Sequence, residues 1–295
     1  MGNLIKIEGK ALEKLISVVS KGIGTVYRPR AIRKEADAEA YRTEVLATAN
    51  AKKELIEGEA KIELLERARS RLVNQEIIRQ SNIEDVVEKA IPHLSENVSE
   101  EEVDQDWRTR FFQKAQDISD QDMQEIWARI LAEEVSEPGR VSFRTLELVS
   151  NVSKLEAEVF SRACNLASNC QQIWKINNNN SFESYGFKYS DLMILREAGL
   201  VHDSDTLKKT HSVLQIQNAD STFVVIGEKQ YLLTSKTGQT LTPVNIQMVA
   251  FTNSGSEICR LLEKTPNEEY FADLKLSLNN KYVLNEIPTK NQTEV

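Results

Sequence analysis

Three cysteines and three histidines are the side chains here best suited to hold a metal or to act as nucleophile or base: Cys164, Cys170, Cys259, His93, His202 and His211. Their spacing argues against each use. No CxxC, HExxH or His-x-His occurs, so a zinc centre has no encoded ligand set. An odd number of thiols without paired spacing does not build a disulfide framework, and a reducing cytoplasm is the expected setting. Cys164 and Cys170 fall on different faces of the helix expected there and read as buried, inert thiols. The phosphate-binding GxxxxGK[ST] loop, the dinucleotide glycine fingerprint and the GxSxG nucleophile elbow are all missing from the sequence. Carboxylates are plentiful, but helix caps and solvated faces account for them. The chain is therefore expected to be non-enzymatic, with no catalytic, cofactor-binding or metal-ligating residue and no cofactor.

The elements carry more information. Residues 30–80 hold no proline and one glycine, and are dense in Ala, Glu, Lys, Arg, Leu and Ile. That predicts one uninterrupted helix, on the order of 75 Å long at about 1.5 Å per residue. A rod of that length needs a partner helix or a second subunit. Its apolar members Leu55, Ile56, Ile62, Leu65, Leu72, Ile77 and Ile78 do not make a clean heptad, so a regular coiled coil is not specified.

Before it, Leu4, Ile5, Leu12, Leu15, Ile16, Val19 and Ile23 form an apolar stripe at helical spacing. Lys6, Lys10, Lys14 and Lys21 lie beside the stripe, and Arg28, Arg30, Arg33 and Lys34 follow it. These eight cations are the candidates for contact with an anionic membrane surface or phosphate. Packing of the stripe on the protein itself is the favoured alternative.

After the rod, Ser81 followed by Glu84 fits a capping box, and Ser99, Ser119 and Ser153 read as further N-caps. Two helices between Val103 and Val135 bury Trp107, Phe111, Trp127 and Leu131 as core anchors. A short helix at 142–150 and one from Lys154 to about Cys170 complete this part. Beyond the Asn177–Asn180 run the character changes. A helix over Tyr189–Leu200 ends at Gly199, strands follow at 212–217, 222–226, 229–234 and 243–251, and helices at 252–264 and 267–278 close the chain. The fold class is mainly α, with a long N-terminal helix, a central helical bundle and a small α+β, winged-helix-like C-terminal module. The expected divisions are 1–80, 81–176, 181–285 and a disordered tail at 286–295.

A net charge of −8 and a pI near 5.2 argue against nucleic-acid binding by the chain as a whole. In the C-terminal module, Lys188, Arg196, Lys208 and Lys209 are the candidates for local nucleic-acid contact, offset by Asp191 and Glu197. No run approaches the ~20 apolar residues of a membrane span. The start of the chain has neither a signal-peptide pattern nor, with Lys6 in the decisive position, a myristoylation motif.

The stretch from Ile91 to Phe160 carries a family likeness. It reads IPHLSENVSEEEVDQDWRTRFF, then MQEIWARILAEEVSEPGRVSFRTLELVSNVSKLEAEVF, with Leu195-Gly199-Leu200 and Thr252-Gly255 further on. These residues resemble the bacterial domain-of-unknown-function 2806 family over about residues 80–265, and are similar in layout to Abi-alpha abortive-infection proteins. The resemblance implies a bacterial or phage-related source and a role in phage defence. Its motifs are structural, so it transfers no active-site residue. The combined expectation is a cytoplasmic, homo-oligomeric interaction or scaffold protein with a further, unknown protein partner. Membrane-surface association and DNA binding stand as alternatives.

Overall fold

The structure, a computed structural model, describes residues 9–25, 27, 59–179, 182–216, 219–236 and 240–288. Among these residues helices dominate and the strands gather into two small antiparallel sheets, so the chain is mainly α. It divides into two compact units, Met1–Leu146 and Glu147–Val295. The division falls inside a short helix, upstream of the 176–181 boundary expected from the sequence. The helix at Lys154 and the first strand belong to the second unit.

The first unit contains α1 (Lys10–Ile23), α2 (Glu59–Ala90), α3 (Gln105–Ala115), α4 (Gln121–Ser136) and the start of α5 (Phe143–Val149). Two aspartates set where α3 and α4 begin. The Asp104 carboxylate accepts the Trp107 N–H at 2.9 Å, and Asp120 accepts those of Asp122 and Met123 at 3.0 Å. Ser99 and Ser119 are therefore not the caps. Asp104, five residues past Ser99, and Asp120, next to Ser119, reach the free N–H groups, and residues 99–103 form no helix.

Between these helices Trp107, Phe111, Trp127 and Leu131 are buried, as their spacing predicts. Phe111 is the hub, 5.0 Å from the Trp107 ring and 5.3 Å from that of Trp127. Each such ring contributes about 4–6 kcal/mol of apolar burial as an upper bound. The buried Glu134 carboxylate accepts the Gly139 N–H at 2.8 Å and the Val141 N–H at 3.0 Å. It thereby shapes the turn after α4, and the same turn offers the Val141 carbonyl to the Trp107 indole N–H at 2.8 Å.

Helix α2 runs without interruption through Ser81, which is exposed inside it. The local capping signal loses because Ile83, Val86, Val87 and Ala90 bury on the far side of Ser81 and keep the helix in register with α4. Glu84, the expected box partner, is held by the Gln80 amide at 2.8 Å instead. The portion of the expected rod at 30–58 lies outside the described residues.

The second unit contains α6 (Lys154–Cys164), β1 (Gln172–Trp174), α7 (Tyr189–Glu197), β2 (Lys208–His211), β3 (Leu214–Ile216), β4 (Ala219–Ile226), β5 (Lys229–Ser235), β6 (Val244–Ala250), α8 (Asn253–Leu261), α9 (Glu268–Lys281) and β7 (Tyr282–Glu286). One sheet has the order β1–β6–β2 and the other β3–β4–β5–β7. Strands β1, β2 and β7 were not expected. All three are short, and β2, Lys-Lys-Thr-His, is polar and forms through pairing with β6 rather than through intrinsic propensity. The α6 helix begins with a full capping box at Ser153 and Glu156 but stops at Cys164, because the chain turns there to reach β1.

Buried polar ties join these layers. The Tyr270 hydroxyl of α9 donates to the Trp174 carbonyl at 2.7 Å, and the Trp174 indole N–H donates to the Val225 carbonyl at 2.7 Å. Gly255 lets α8 approach the chain after α7, since a Cβ there would stand 2.1 Å from the Leu200 carbonyl oxygen. The expected tail lies outside the described residues except for Glu286, which ends β7, and the two residues after it.

Candidate functional site

The most distinctive surface is the first part of α2. From Ile62 to Ile78 no side chain is buried, whereas from Asn82 onward the helix is anchored. The anchor begins where Arg79 bonds Asp117 at 2.9 Å and Asn82 donates to the Gln116 carbonyl at 2.8 Å. Upstream of it, Ile62, Leu64, Leu72, Ile77 and Ile78 are between 38% and 61% exposed. The segment from Glu59 to Ile78 is roughly 30 Å long at about 1.5 Å per residue. Ile62, Leu65, Leu72, Val73 and Ile77 share one face of it. At its root, Arg71, Ile78, Arg79, Asn82, Gln116 and Asp117 line an open groove of about 860 Å³.

The basic residues of α1 have partners within the chain. Lys10 and Lys21 pair with Glu100 and Glu102 at 3.2 and 3.1 Å, and Lys14 donates to the Ser99 carbonyl at 2.8 Å. Ala11, Leu15, Val18 and Val19 turn inward against α3 and α4. Gly22 fits under the Phe112 ring, where a Cβ would stand 2.2 Å from a ring carbon. The described part of the stripe thus packs against the chain's own core. Lys6, Arg28, Arg30, Arg33 and Lys34 lie outside the described residues.

Of the nucleic-acid candidates, Arg196 is taken up inside the chain. Arg196 has a side chain only 6% exposed, held by Asp205 at 2.6 Å and Asp203 at 3.6 Å. Its neighbour Lys175, also buried, donates to the Asp205 carbonyl. Lys188, Lys208 and Lys209 are exposed, the last two on the edge strand β2. Outward on α7 stand Tyr189 and Met193, which are apolar.

Nothing in the spacing of the three cysteines announces that they meet. Cys259 of α8 lies within hydrogen-bonding reach of both Cys164 and Cys170, and all three are free and buried. They converge because α6 ends at Cys164 and the chain reverses through Asn169 and Cys170, both at positive φ (49° and 51°), into β1. Two consecutive left-handed residues other than glycine store strain on the order of 1–3 kcal/mol each. The Lys264 ammonium is 3.2 Å from Cys170 Sγ and 3.0 Å from Glu228.

Hydrogen bonding to Cys259, then burial, pushes the Cys170 thiol well above the usual thiol range. Hydrogen bonding to Cys164, together with burial, does the same for Cys259. Both are therefore protonated at neutral pH, the opposite of an activated nucleophile. Cys164, Cys170 and Lys264 line a cavity of about 300 Å³ with Tyr231, Phe271 and Lys275. Among the described residues no group of three or more His, Cys, Asp or Glu is arranged to hold a metal ion.

His211 is the one buried histidine. Its Nδ1 is 2.7 Å from the Phe223 carbonyl, its Nε2 has no partner among the described residues, and its ring lies 5.6 Å from that of Trp174. Burial holds its pKa below the ordinary histidine value, with nearby Lys209 acting in the same direction.

Comparison with known proteins adds one finding. No curated protein and no solved structure matches the chain. The family model described as a protein of unknown function, DUF2806, matches residues 66–275, a span that starts within the projecting helix and reaches into α9. With well over half its length covered by that match, the chain belongs to the DUF2806 family.

Proposed function

We propose that this chain is a non-enzymatic interaction protein that self-associates through the projecting part of α2. The supporting observation is the row of exposed Ile and Leu side chains from Ile62 to Ile78 on a helix that is otherwise polar. A largely polar helix gains little from propensity alone. Burying a Leu or Ile side chain fully contributes on the order of 1.5–3 kcal/mol. Two copies offer enough such side chains to offset an association cost of about 4–15 kcal/mol. Light scattering coupled to size exclusion tests this. The reading requires a mass above the monomer at micromolar concentration, and a monomer throughout rejects it.

The cellular setting is part of the same proposal: a cytoplasmic, bacterial, abortive-infection-like response to phage. It rests on the likeness in layout to Abi-alpha proteins read from the sequence, to which the DUF2806 match does not extend. Neighbouring genes of defence or prophage type count for it, and a consistently housekeeping neighbourhood counts against it.

A second reading is favoured by the sheet order β1–β6–β2 with α7 between β1 and β2 in the chain, which suits a winged-helix-like module. Exposed Lys188, Lys208 and Lys209 are its candidate phosphate contacts. Exposed Tyr189 and Met193 on α7 favour a protein partner at this face over DNA. Gel-shift titration decides: DNA binding must weaken steeply as salt rises, and no shift at low salt removes the DNA reading.

A further inference from the structure

The cavity beside the thiols is walled by separate pieces of the second unit. The end of α6 brings Asn165, the reversal before β1 brings Asn169, the β4–β5 hairpin brings Glu228 and Tyr231, and α9 brings Phe271 and Lys275. At about 300 Å³ it has the size of a small-molecule site. The buried Tyr231 and Phe271 rings give it an apolar surface, and the protonated Cys164 and Cys170 thiols add to it. Phe271 and Lys275 are one turn apart on the same face of α9, and the Lys275 ammonium lies 5.8 Å from the centre of the Tyr231 ring. On the other side, the Asn169 N–H donates to the Gly227 carbonyl at 2.9 Å, and a Cβ on Gly227 would stand 3.6 Å from the Phe271 ring. The strained left-handed backbone at Asn169 thus sets its side-chain amide at this cavity, and strain of that kind gathers at ligand sites.

Most of the acceptors here are already bonded. Glu228 takes Lys264 at 3.0 Å, and Asn165 Oδ1 takes the Thr265 N–H at 2.9 Å. Glu286, the nearby carboxylate of β7, takes Lys229 at 2.7 Å and the Tyr231 hydroxyl at 3.1 Å. The donors are not used up: the half-buried Lys275 has no ion pair, and the Asn169 amide no hydrogen bond, among the described residues. Glu268, exposed, is a lining carboxylate that limits how much negative charge can enter. We propose that this cavity binds a small organic monocarboxylate with a flat apolar body. The body lies against Tyr231 and Phe271, and the carboxylate accepts from Lys275 and from the Asn169 amide. A dianion without an apolar body is disfavoured by Glu268 and gains nothing from the rings. The site is independent of self-association.

Titration of the full chain with para-fluorobenzoate, followed by its fluorine resonance, tests the assignment. Para-fluorobenzamide serves as the uncharged body and inorganic phosphate as the anion without one. Saturable one-to-one binding of the carboxylate is expected, at least tenfold weaker binding of the amide, and no displacement by phosphate. Lys275→Gln should weaken binding at least tenfold. Asn169→Gly removes the amide and the left-handed strain together, so it should weaken binding several-fold while leaving the urea midpoint unchanged or raised. Glu268→Gln should tighten it. No saturable binding, equal binding of carboxylate and amide, or displacement by phosphate overturns the ligand class. Native affinity in both Lys275→Gln and Asn169→Gly overturns the placement in this cavity.

Discussion

The two halves of α2 belong to one continuous helix yet face opposite circumstances. From Ile83 to Ala90 its apolar residues are sealed against α4. From Ile62 to Ile78 residues of the same types stand in solvent. The difference lies in what is beside them, not in their chemistry. Stability resides in the anchored half and the proposed capacity to bind in the other, and substitutions separate the two.

The largest expected effect is in the anchored half and its aromatic neighbours. Trp127→Ala removes a fully buried ring and costs about 3–5 kcal/mol, read as a lowered urea midpoint. Val86→Asp is expected to prevent folding of the first unit, since it buries a charge. By contrast, Leu72→Ala changes the stability of the unassociated chain by about 0.5 kcal/mol or less. Equal losses at positions 72 and 127 would break the comparison.

A smaller effect is expected at Glu134. In Glu134→Gln one of the two acceptors for the Gly139 and Val141 N–H groups becomes a donor, which costs about 1–3 kcal/mol. Circular dichroism during urea titration measures it, and an unchanged midpoint would mean that the turn is held by other contacts.

In the second unit, pH is the probe. His211 has a lowered pKa when folded, so the unfolded chain takes up a proton near pH 6.5 that the folded chain refuses. Stability is flat above that value, declines as pH falls below it, and levels off once the folded imidazole titrates. His211→Gln should flatten this part of the profile, and an unchanged slope would place its origin in the carboxylates. The smallest change is at the thiols. An alkylating reagent at pH 7 should leave Cys164, Cys170 and Cys259 unlabelled in the folded chain and label all three in urea, as read by mass spectrometry. Rapid labelling of Cys170 in the folded chain would contradict its protonated, buried state.

What the sequence made legible follows the range of the forces involved. The α3–α4 pair was readable because Trp107, Phe111, Trp127 and Leu131 are large and periodic, and large periodic apolar residues bury almost regardless of context. The caps were misplaced by a residue or more, since Ser99 and Ser119 are chemically as suitable as Asp104 and Asp120. Only backbone geometry chooses between them. Lys208–His211 is too polar to announce a strand and becomes one through β6. The meeting of the thiols was illegible for the same reason: the reversal at Asn169 and Cys170 depends on pairing with residues far along the chain. The lysines of α1 look alike whether they face lipid or Glu100 and Glu102, and periodicity carries no information on which.

Sedimentation velocity on the full chain across a dilution series, beside its Leu72→Asp variant, tests the central claim most directly. The account predicts a native dimer that dissociates on dilution and a variant that is folded and monomeric at every concentration. A native chain that is monomeric throughout, or a variant that dimerises as well as the native chain, would contradict it.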